Sequence, residues 1–190
     1  MKIKKGEYGY IRSQKKIRVI RTIVAFAFDF AIFFLGLYLN KGDRRNIYSI
    51  IAAVGCIPAA MSLVSAVMIC MRKPMQEKLF QEIRERAGDL RMLYELYLTT
   101  QEKNLFLDAV TVCGEYITGY TSEKVKPGHI REIEAHIRRS ALKEGYKETV
   151  KIFDNKNSFL DRVDQLREKK EDFAMDRDPE LENLLKVLAI

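Results

Sequence analysis

The chain has little of the chemistry that metal proteins and nucleotide-binding enzymes require. Its 190 residues include only two histidines and three cysteines. His129 and His136 lie on one predicted helix about two turns, or roughly 10 Å, apart, so they cannot share a metal ion. No Gly-x-Gly-x-x-Gly, Walker-type or Gly-x-Ser-x-Gly motif occurs, so nothing indicates a nucleotide site or a nucleophilic serine. We therefore predict no metal, no cofactor and no catalysis.

One set of charged residues, Asp108, Glu148 and Lys151, has the composition of a metal-dependent nuclease site. Glu148 and Lys151 are separated by an odd number of positions, so in a regular strand they point to opposite faces. The set cannot converge without a bulge, and we do not predict a nuclease.

The cysteines are too few for a disulfide framework. Cys56 and Cys70 fall in an apolar segment and Cys113 in a strand-like run. This placement is typical of small buried side chains in a reducing compartment.

Charge is almost absent between Thr22 and Met71, apart from Asp29 and a short cluster within 41–45. Residues 22–39 and 47–71 are apolar runs, and each is long enough to cross about 30 Å of hydrocarbon as a helix. A signal peptide is the alternative for the first run. That run exceeds the roughly 7 to 15 apolar residues of such peptides, no Ala-x-Ala site follows it, and a second span comes directly after. We predict two transmembrane helices joined by a short external turn at 40–46.

The net charge of +7 is concentrated beside these runs. Residues 1–73 carry 13 basic side chains against 3 acidic ones, whereas residues 74–190 carry 20 against 23. Such an asymmetry favours anionic lipid headgroups as the partner and argues against nucleic acid. The predicted membrane-surface basic residues are Lys2, Lys4, Lys5, Lys15, Lys16, Arg18, Arg21, Arg72 and Lys73. By the positive-inside rule, both termini of this multi-pass protein of the cell membrane are cytoplasmic, and residues 1–21 form a basic cytoplasmic segment.

Asp29 is the single carboxylate of the first run. A charge at membrane depth costs a few kcal/mol, so its side chain should face protein or a water-filled cavity. Counting about 1.5 Å per residue from Thr22 and from Met71 places Asp29 about 10 Å deep, level with Ser62 and Ser65. We predict an intramembrane polar site formed by Asp29, Ser62 and Ser65.

Small residues lie on one face of each span and allow another helix to approach closely. Proline within the second span is expected to bend that helix. The predicted helix-packing face consists of Ala25, Gly36, Gly55, Pro58, Ala59 and Ala66.

Three roles are open for Asp29. It can clamp the helix pair through Ser62 or Ser65, contact another copy of the chain, or line a cation pathway. Since one hairpin cannot enclose a pore, the last role requires an oligomer, and we expect a homo-oligomer.

Residues 72–98 are predicted to form a juxtamembrane amphipathic helix, because Ile83, Leu90 and Tyr97 recur at helical spacing. For residues 99–190 we predict a small cytoplasmic α+β domain, a short sheet of two or three strands covered on one face by helices. Its predicted elements are strand 105–121 with a bend at Gly114, a helix from Pro127, strand 148–154, a helix capped by Ser158 and a helix from Asp178. The mixed-charge segment 167–177 is predicted to be a solvated helix end or hinge.

Two hypotheses follow. The first is an integral membrane protein that anchors a cytoplasmic interaction or sensing module for an unidentified protein or small ligand. The second is a homo-oligomeric cation channel or pore-forming effector, with Asp29 facing the pathway and the domain as a gate. The mass of the detergent-solubilised particle distinguishes them, because a monomer or dimer cannot form a conventional pore.

Overall fold

Two long helices contain the apolar runs of the sequence. Helix α1 spans Tyr10–Leu39 and helix α2 spans Ile47–Met71 in the computed structural model, which describes residues 3–41, 43, 47–99, 104–170 and 178–189. Both helices are long and apolar enough to cross a membrane. They lie in one of two compact units, Ile11–Pro74.

Within this unit each helix buries one stripe, whose members are seven or eleven positions apart in α1 and three, four or seven positions apart in α2. The buried residues of α1 are Ile11, Thr22, Asp29 and Gly36. Those of α2 are Ala52, Ala59, Ser62, Ala66 and Ile69. Most of these side chains are small, which lets two helix backbones approach closely.

Most large apolar side chains of α1 and α2 are exposed, among them Phe28, Phe34 and Ile57. A helix in the core of a soluble protein would bury such side chains. Cys56 and Cys70 are exposed as well, so our prediction that they are buried is wrong for the isolated chain. They lie outside the stripe that α1 covers.

The second unit comprises Met1–Tyr10 and Met75–Ile190 and is built on a four-stranded sheet. The strands are β1 (Met92–Thr99), β2 (Asn104–Cys113), β3 (Tyr116–Tyr120) and β4 (Thr149–Phe153). They are ordered β1-β2-β3-β4, with antiparallel pairs β1–β2 and β2–β3 and a parallel pair β3–β4.

Four helices cover both faces of this sheet. They are α3 (Glu77–Ala87), α4 (Pro127–Lys143), α5 (Lys156–Glu168) and α6 (Asp178–Leu188). Ile133 of α4 and Leu185 of α6 share a core with Ile117 of the sheet. On the opposite face, Phe159 of α5 contacts Tyr120, and α5 packs on α3. Because both faces are covered, β2 is buried along nearly its whole length, and our prediction of helices on one face is wrong.

The two long apolar helices and the α+β domain are confirmed, but the sheet has four strands where we predicted two or three. The extra strand is β1, which lies inside the predicted helix 72–98. That helix is α3, and it ends before Gly88, whose φ of 54° suits a glycine. The residues after Arg91 alternate between buried and half-buried positions over most of their length and form a strand.

Other boundaries agree with the sequence more closely. The bend at Gly114 is the β2–β3 hairpin, where this residue has φ 55°, and α4 and α6 begin at Pro127 and Asp178 as predicted. The cap of α5 is Asn155, whose side chain accepts the N–H groups of Asn157 and Ser158, so Ser158 is not the cap. Of the predicted hinge 167–177, residues 171–177 lie outside the described part of the chain.

The N-terminal segment packs on the domain, although we predicted that residues 1–21 are only a basic membrane-surface segment. The carbonyl of Gly6 accepts the N–H of Tyr94 at 2.8 Å. The ring of Tyr8 stacks on Phe80 with centroids 3.9 Å apart. Residues 3–10 are therefore an integral part of the α+β unit.

Candidate functional sites

Hydrogen bonds between polar side chains set the register of α1 against α2. Arg18 Nη1 donates to Ser65 Oγ at 2.9 Å. Nearer the turn, the hydroxyl oxygens of Thr22 and Ser62 lie 3.0 Å apart. These two pairs define the relative height of the antiparallel helices.

Asp29 lies nearer still to the turn and packs directly against Gly55. A Cβ atom built on Gly55 would lie 2.3 Å from Oδ1 of Asp29, so this position of α2 has room for the carboxylate only because it is glycine. Asp29 is 8% exposed, and its Oδ2 atom has no hydrogen-bond partner among the described residues. The hairpin thus buries a carboxylate oxygen that it does not satisfy.

A cavity of about 330 Å³ lies beside this carboxylate. Three aromatic side chains of α1 contribute to its wall, and small side chains of α2 complete it. The lining residues other than Asp29 are Phe26, Phe30, Phe33, Ser49, Ala52, Ala53 and Cys56. Asp29 is the only carboxylate among these lining residues, and none of them has a basic side chain.

The structure does not bring Asp29 together with Ser62 and Ser65, which face Thr22 and Arg18 instead. Our depth count took Thr22 and Met71 as matching helix ends. Helix α1 begins at Tyr10, however, and its basic first turns lie beside the end of α2. The register is therefore shifted by about two helical turns, and the partner of Asp29 is Gly55.

The predicted helix-packing face is only partly the buried face. Gly36, Ala59 and Ala66 are buried, and Gly55 contacts Asp29. Ala25 is half-buried and Pro58 is exposed. The small residues of the buried stripe are thus used within the hairpin, and they leave the bulky side chains outside.

The predicted basic residues divide between the two units. Lys15 donates to the carbonyl of Cys70 at 3.0 Å, Arg21 Nε lies 3.5 Å from Ser62 Oγ, and Lys5 donates to the carbonyl of Ala189. The remaining basic residues are exposed or half-buried, namely Lys4, Lys16, Arg72 and Lys73. Lys2 lies outside the described residues.

The α+β unit has a second pocket, also of about 330 Å³, between the N-terminal segment, α3 and β1. Tyr8, Phe80 and Tyr94 form a continuous aromatic wall, since Phe80 stacks on Tyr8 and meets Tyr94 edge-on at 5.0 Å. The guanidinium of Arg84 lies 5.8 Å from the Phe80 ring centroid. We did not predict this site, although Tyr8, with Gly6 and Gly9 beside it in a basic segment, was a signal for it.

Burial raises the pKa of Tyr94 to about 12, and the charge of Arg84 opposes this shift. The phenol therefore stays neutral at physiological pH and can both donate and accept a hydrogen bond. The pocket accordingly combines aromatic surface with one cation, Arg84, and one carboxylate, Glu7, which accepts the backbone N–H of Lys4 at 2.8 Å.

Glu95 follows in β1 and has a left-handed φ of 54°. Its buried carboxylate accepts the N–H of Met75 at 3.0 Å. This bond fixes the first residue of the domain after α2. Residues other than glycine adopt such a φ at an energetic cost, and they are often found at functional positions.

Asp108 and Lys151, two of the three charged residues considered for a nuclease site, make local contacts. Asp108 accepts the N–H of Ser122 at 2.6 Å, and Lys151 lies 3.9 Å from Glu134. In the described ranges no three His, Cys, Asp or Glu side chains are grouped to hold a metal ion.

Comparison with protein families, with curated proteins and with solved structures found no match to this chain.

Proposed function

We propose that this chain is an integral membrane protein whose helices α1 and α2 anchor a cytoplasmic α+β sensing domain, which binds a small ligand or a protein without catalysis. The exposed apolar side chains of the hairpin support the membrane part of this proposal. Lipid can cover such a surface, whereas water would make it an aggregation site.

One observation carries the proposal. Residues 3–10, which precede α1, and the residues from Met75 onward, which follow α2, build one domain. A chain that crosses a bilayer twice returns to the side from which it started, so both flanks are available to that domain. A cleaved signal peptide would remove the first flank and with it the stacking of Tyr8 on Phe80.

The basic residues of both flanks favour a cytoplasmic domain. The side chains of Arg18 and Arg21 reach Ser65 and Ser62, so the headgroup level meets α2 near these serines. The C-terminal turns of α2, from Ala66 on, then lie at the level of the cytoplasmic headgroups or beyond them toward the cytoplasm. Asp29 and Gly55 remain at hydrocarbon depth.

The pocket between Tyr8, α3 and β1 is the proposed sensing site. Residue 8 lies two positions before α1, and α3 follows α2 after a short connection. A ligand between them would contact both chain segments that lead into the hairpin. The aromatic wall favours a flat ligand, and Arg84 favours an anionic group at the end of that ligand away from the Glu7 carboxylate.

Cysteine labelling tests the topology in a variant without native cysteines. Asp43→Cys places a thiol in the turn, and Glu85→Cys places one on the exposed side of α3. A membrane-impermeant maleimide should label Asp43→Cys in intact cells and Glu85→Cys only after permeabilisation. Labelling of Glu85→Cys in intact cells, or extraction of the protein by alkaline carbonate, would contradict the proposal.

The second candidate function is a homo-oligomeric cation channel. One observation favours it: Oδ2 of Asp29 has no hydrogen-bond partner among the described residues, and a pathway ion would satisfy that atom. The phenylalanine wall beside Asp29 argues against it. Potassium flux into liposomes decides: a channel requires flux that Asp29→Asn reduces and Asp43→Asn does not, together with a particle larger than a dimer.

A further inference from the structure

We propose that the cavity beside Asp29 is a binding site for a protonated lipophilic amine. This inference rests on the proposed function, because it takes α1 and α2 to lie in a bilayer. It assigns a ligand to a site that the anchoring role does not need.

The first step is the unsatisfied carboxylate oxygen. Oδ2 of Asp29 is buried without a partner among the described residues, while Oδ1 is held against Gly55. In hydrocarbon there is no bulk water to supply a donor, and a buried acceptor without one is costly. A donor from outside the hairpin would remove this cost.

The second step is the chemistry of the walls. Phe26, Phe30 and Phe33 surround the cavity on the α1 side, and the faces of aromatic rings attract cations. A carboxylate among aromatic rings is complementary to an ammonium group attached to an apolar body. The volume of about 330 Å³ lies at the lower end of the range typical of small-molecule sites.

Other occupants fit the cavity less well. Ca²⁺ or Mg²⁺ needs about six or more oxygen ligands, whereas the lining offers only Asp29 and the hydroxyl of Ser49 as side-chain oxygens. A second copy of the chain has no Lys or Arg between Thr22 and Leu39 or between Ile47 and Met71. It therefore brings no cationic side chain to this depth.

The test uses the full-length protein in detergent micelles at pH 8 and two fluorescent probes with the same ring system. 9-Aminoacridine is cationic and donates N–H bonds, whereas acridine is neutral. The wild type should bind 9-aminoacridine, and Asp29→Asn should weaken this binding at least tenfold with little change for acridine. Asp43→Asn, which removes a carboxylate from the turn, should bind both probes as the wild type does.

Ala53→Leu is a second variant, which fills the cavity and keeps the carboxylate. It should lose 9-aminoacridine binding, and it decides the question if Asp29→Asn does not fold. Equal binding of the two probes to the wild type, or unchanged binding by both variants, would overturn the proposal. So would a wild-type dimer that binds no probe and dissociates in Asp29→Asn, because the carboxylate would then serve contact between copies. Failure of the anchoring role itself is separate, since carbonate extraction detects it without any probe.

Discussion

At the scale of single residues, Gly55 is matched to Asp29. Gly55→Ala would place a methyl group 2.3 Å from Oδ1 of Asp29, so either the carboxylate must move or the helices must separate. We expect a loss of about 1 to 3 kcal/mol in unfolding free energy, measured by denaturant titration in micelles. Ala60→Val, a similar enlargement at an exposed position of α2, should have little effect.

The Asp29→Ala background checks this explanation. With the carboxylate gone, Gly55→Ala should cost much less than it does in the wild type, because its steric partner is absent. An equal cost in both backgrounds would mean that Gly55 matters for another reason, such as helix approach.

Asp108 predicts a pH dependence of the domain. Burial is the main cause that raises the pKa of this carboxyl, and its hydrogen bonds with Ser122 oppose the shift. The folded state therefore holds this proton more tightly than the unfolded state. The resulting stability is present below the ordinary carboxyl pKa of about 4 and is lost as pH rises through the raised value.

Asp108→Asn does not titrate and keeps an oxygen that can accept the N–H of Ser122. Relative to the wild type, the stability of this variant should therefore increase as pH rises from 4 to 8. Chemical unfolding at each pH measures this difference in unfolding free energy. The matched control is Asp161→Asn at an exposed position of α5, which should run parallel to the wild type. A constant difference between Asp108→Asn and wild type would contradict the burial argument.

At the scale of elements, the junction after α2 depends on Glu95 in β1. Glu95→Ala leaves the buried N–H of Met75 without this acceptor, which should cost about 1 to 3 kcal/mol. Glu95→Gln keeps an acceptor oxygen at the same backbone conformation and should cost less. Hydrogen exchange at the Met75 amide is the direct measurement. Exchange at the wild-type rate in both variants would show that the carboxylate does not protect this amide.

The same strand shows where sequence patterns mislead. Ile83, Leu90 and Tyr97 recur at helical spacing, but Leu90 and Tyr97 belong to the turn and strand that follow Gly88. Alternation in a strand with irregular backbone at Glu95 is hard to separate from helical spacing over so few residues. By contrast, proline, glycine and the apolar spacing marked α4 and the β2–β3 hairpin correctly, because these signals are local.

The hairpin illustrates the opposite difficulty. Its two helices were evident from length and composition, and the burial of Asp29 followed from the cost of a charge in hydrocarbon. The partner of Asp29 did not follow, because the register of two helices depends on side-chain contacts such as that of Arg18 with Ser65. Counting from the turn, where the chain itself ties the helices together, would have placed Asp29 closer to Gly55.

At the scale of the whole molecule, the N-terminal segment is part of the α+β domain although the two helices separate it from the rest of that domain in the sequence. A fragment of residues 75–190 lacks the ring of Tyr8, which stacks on Phe80, and the carbonyl of Gly6, which accepts the N–H of Tyr94. The fragment 75–190 should therefore be less stable and expose an aromatic surface. We expect it to bind a dye for apolar surfaces. It should also unfold at a lower temperature than a restored fragment, in which residues 1–10 are joined to residues 75–190.

The restored fragment joins residues 1–10 to residues 75–190 through a flexible Gly/Ser linker of about 15 residues, which behaves as a random coil. It should be soluble, monomeric and more stable, because the segment is supplied at high effective concentration. Tyr8→Ala in the restored fragment is the matched control, since it keeps the linker and the Gly6 carbonyl but loses the stacked ring. If the fragment 75–190, the restored fragment and its Tyr8→Ala variant unfold at one temperature, the segment contributes nothing to the domain, and the two flanks of the hairpin do not build it together.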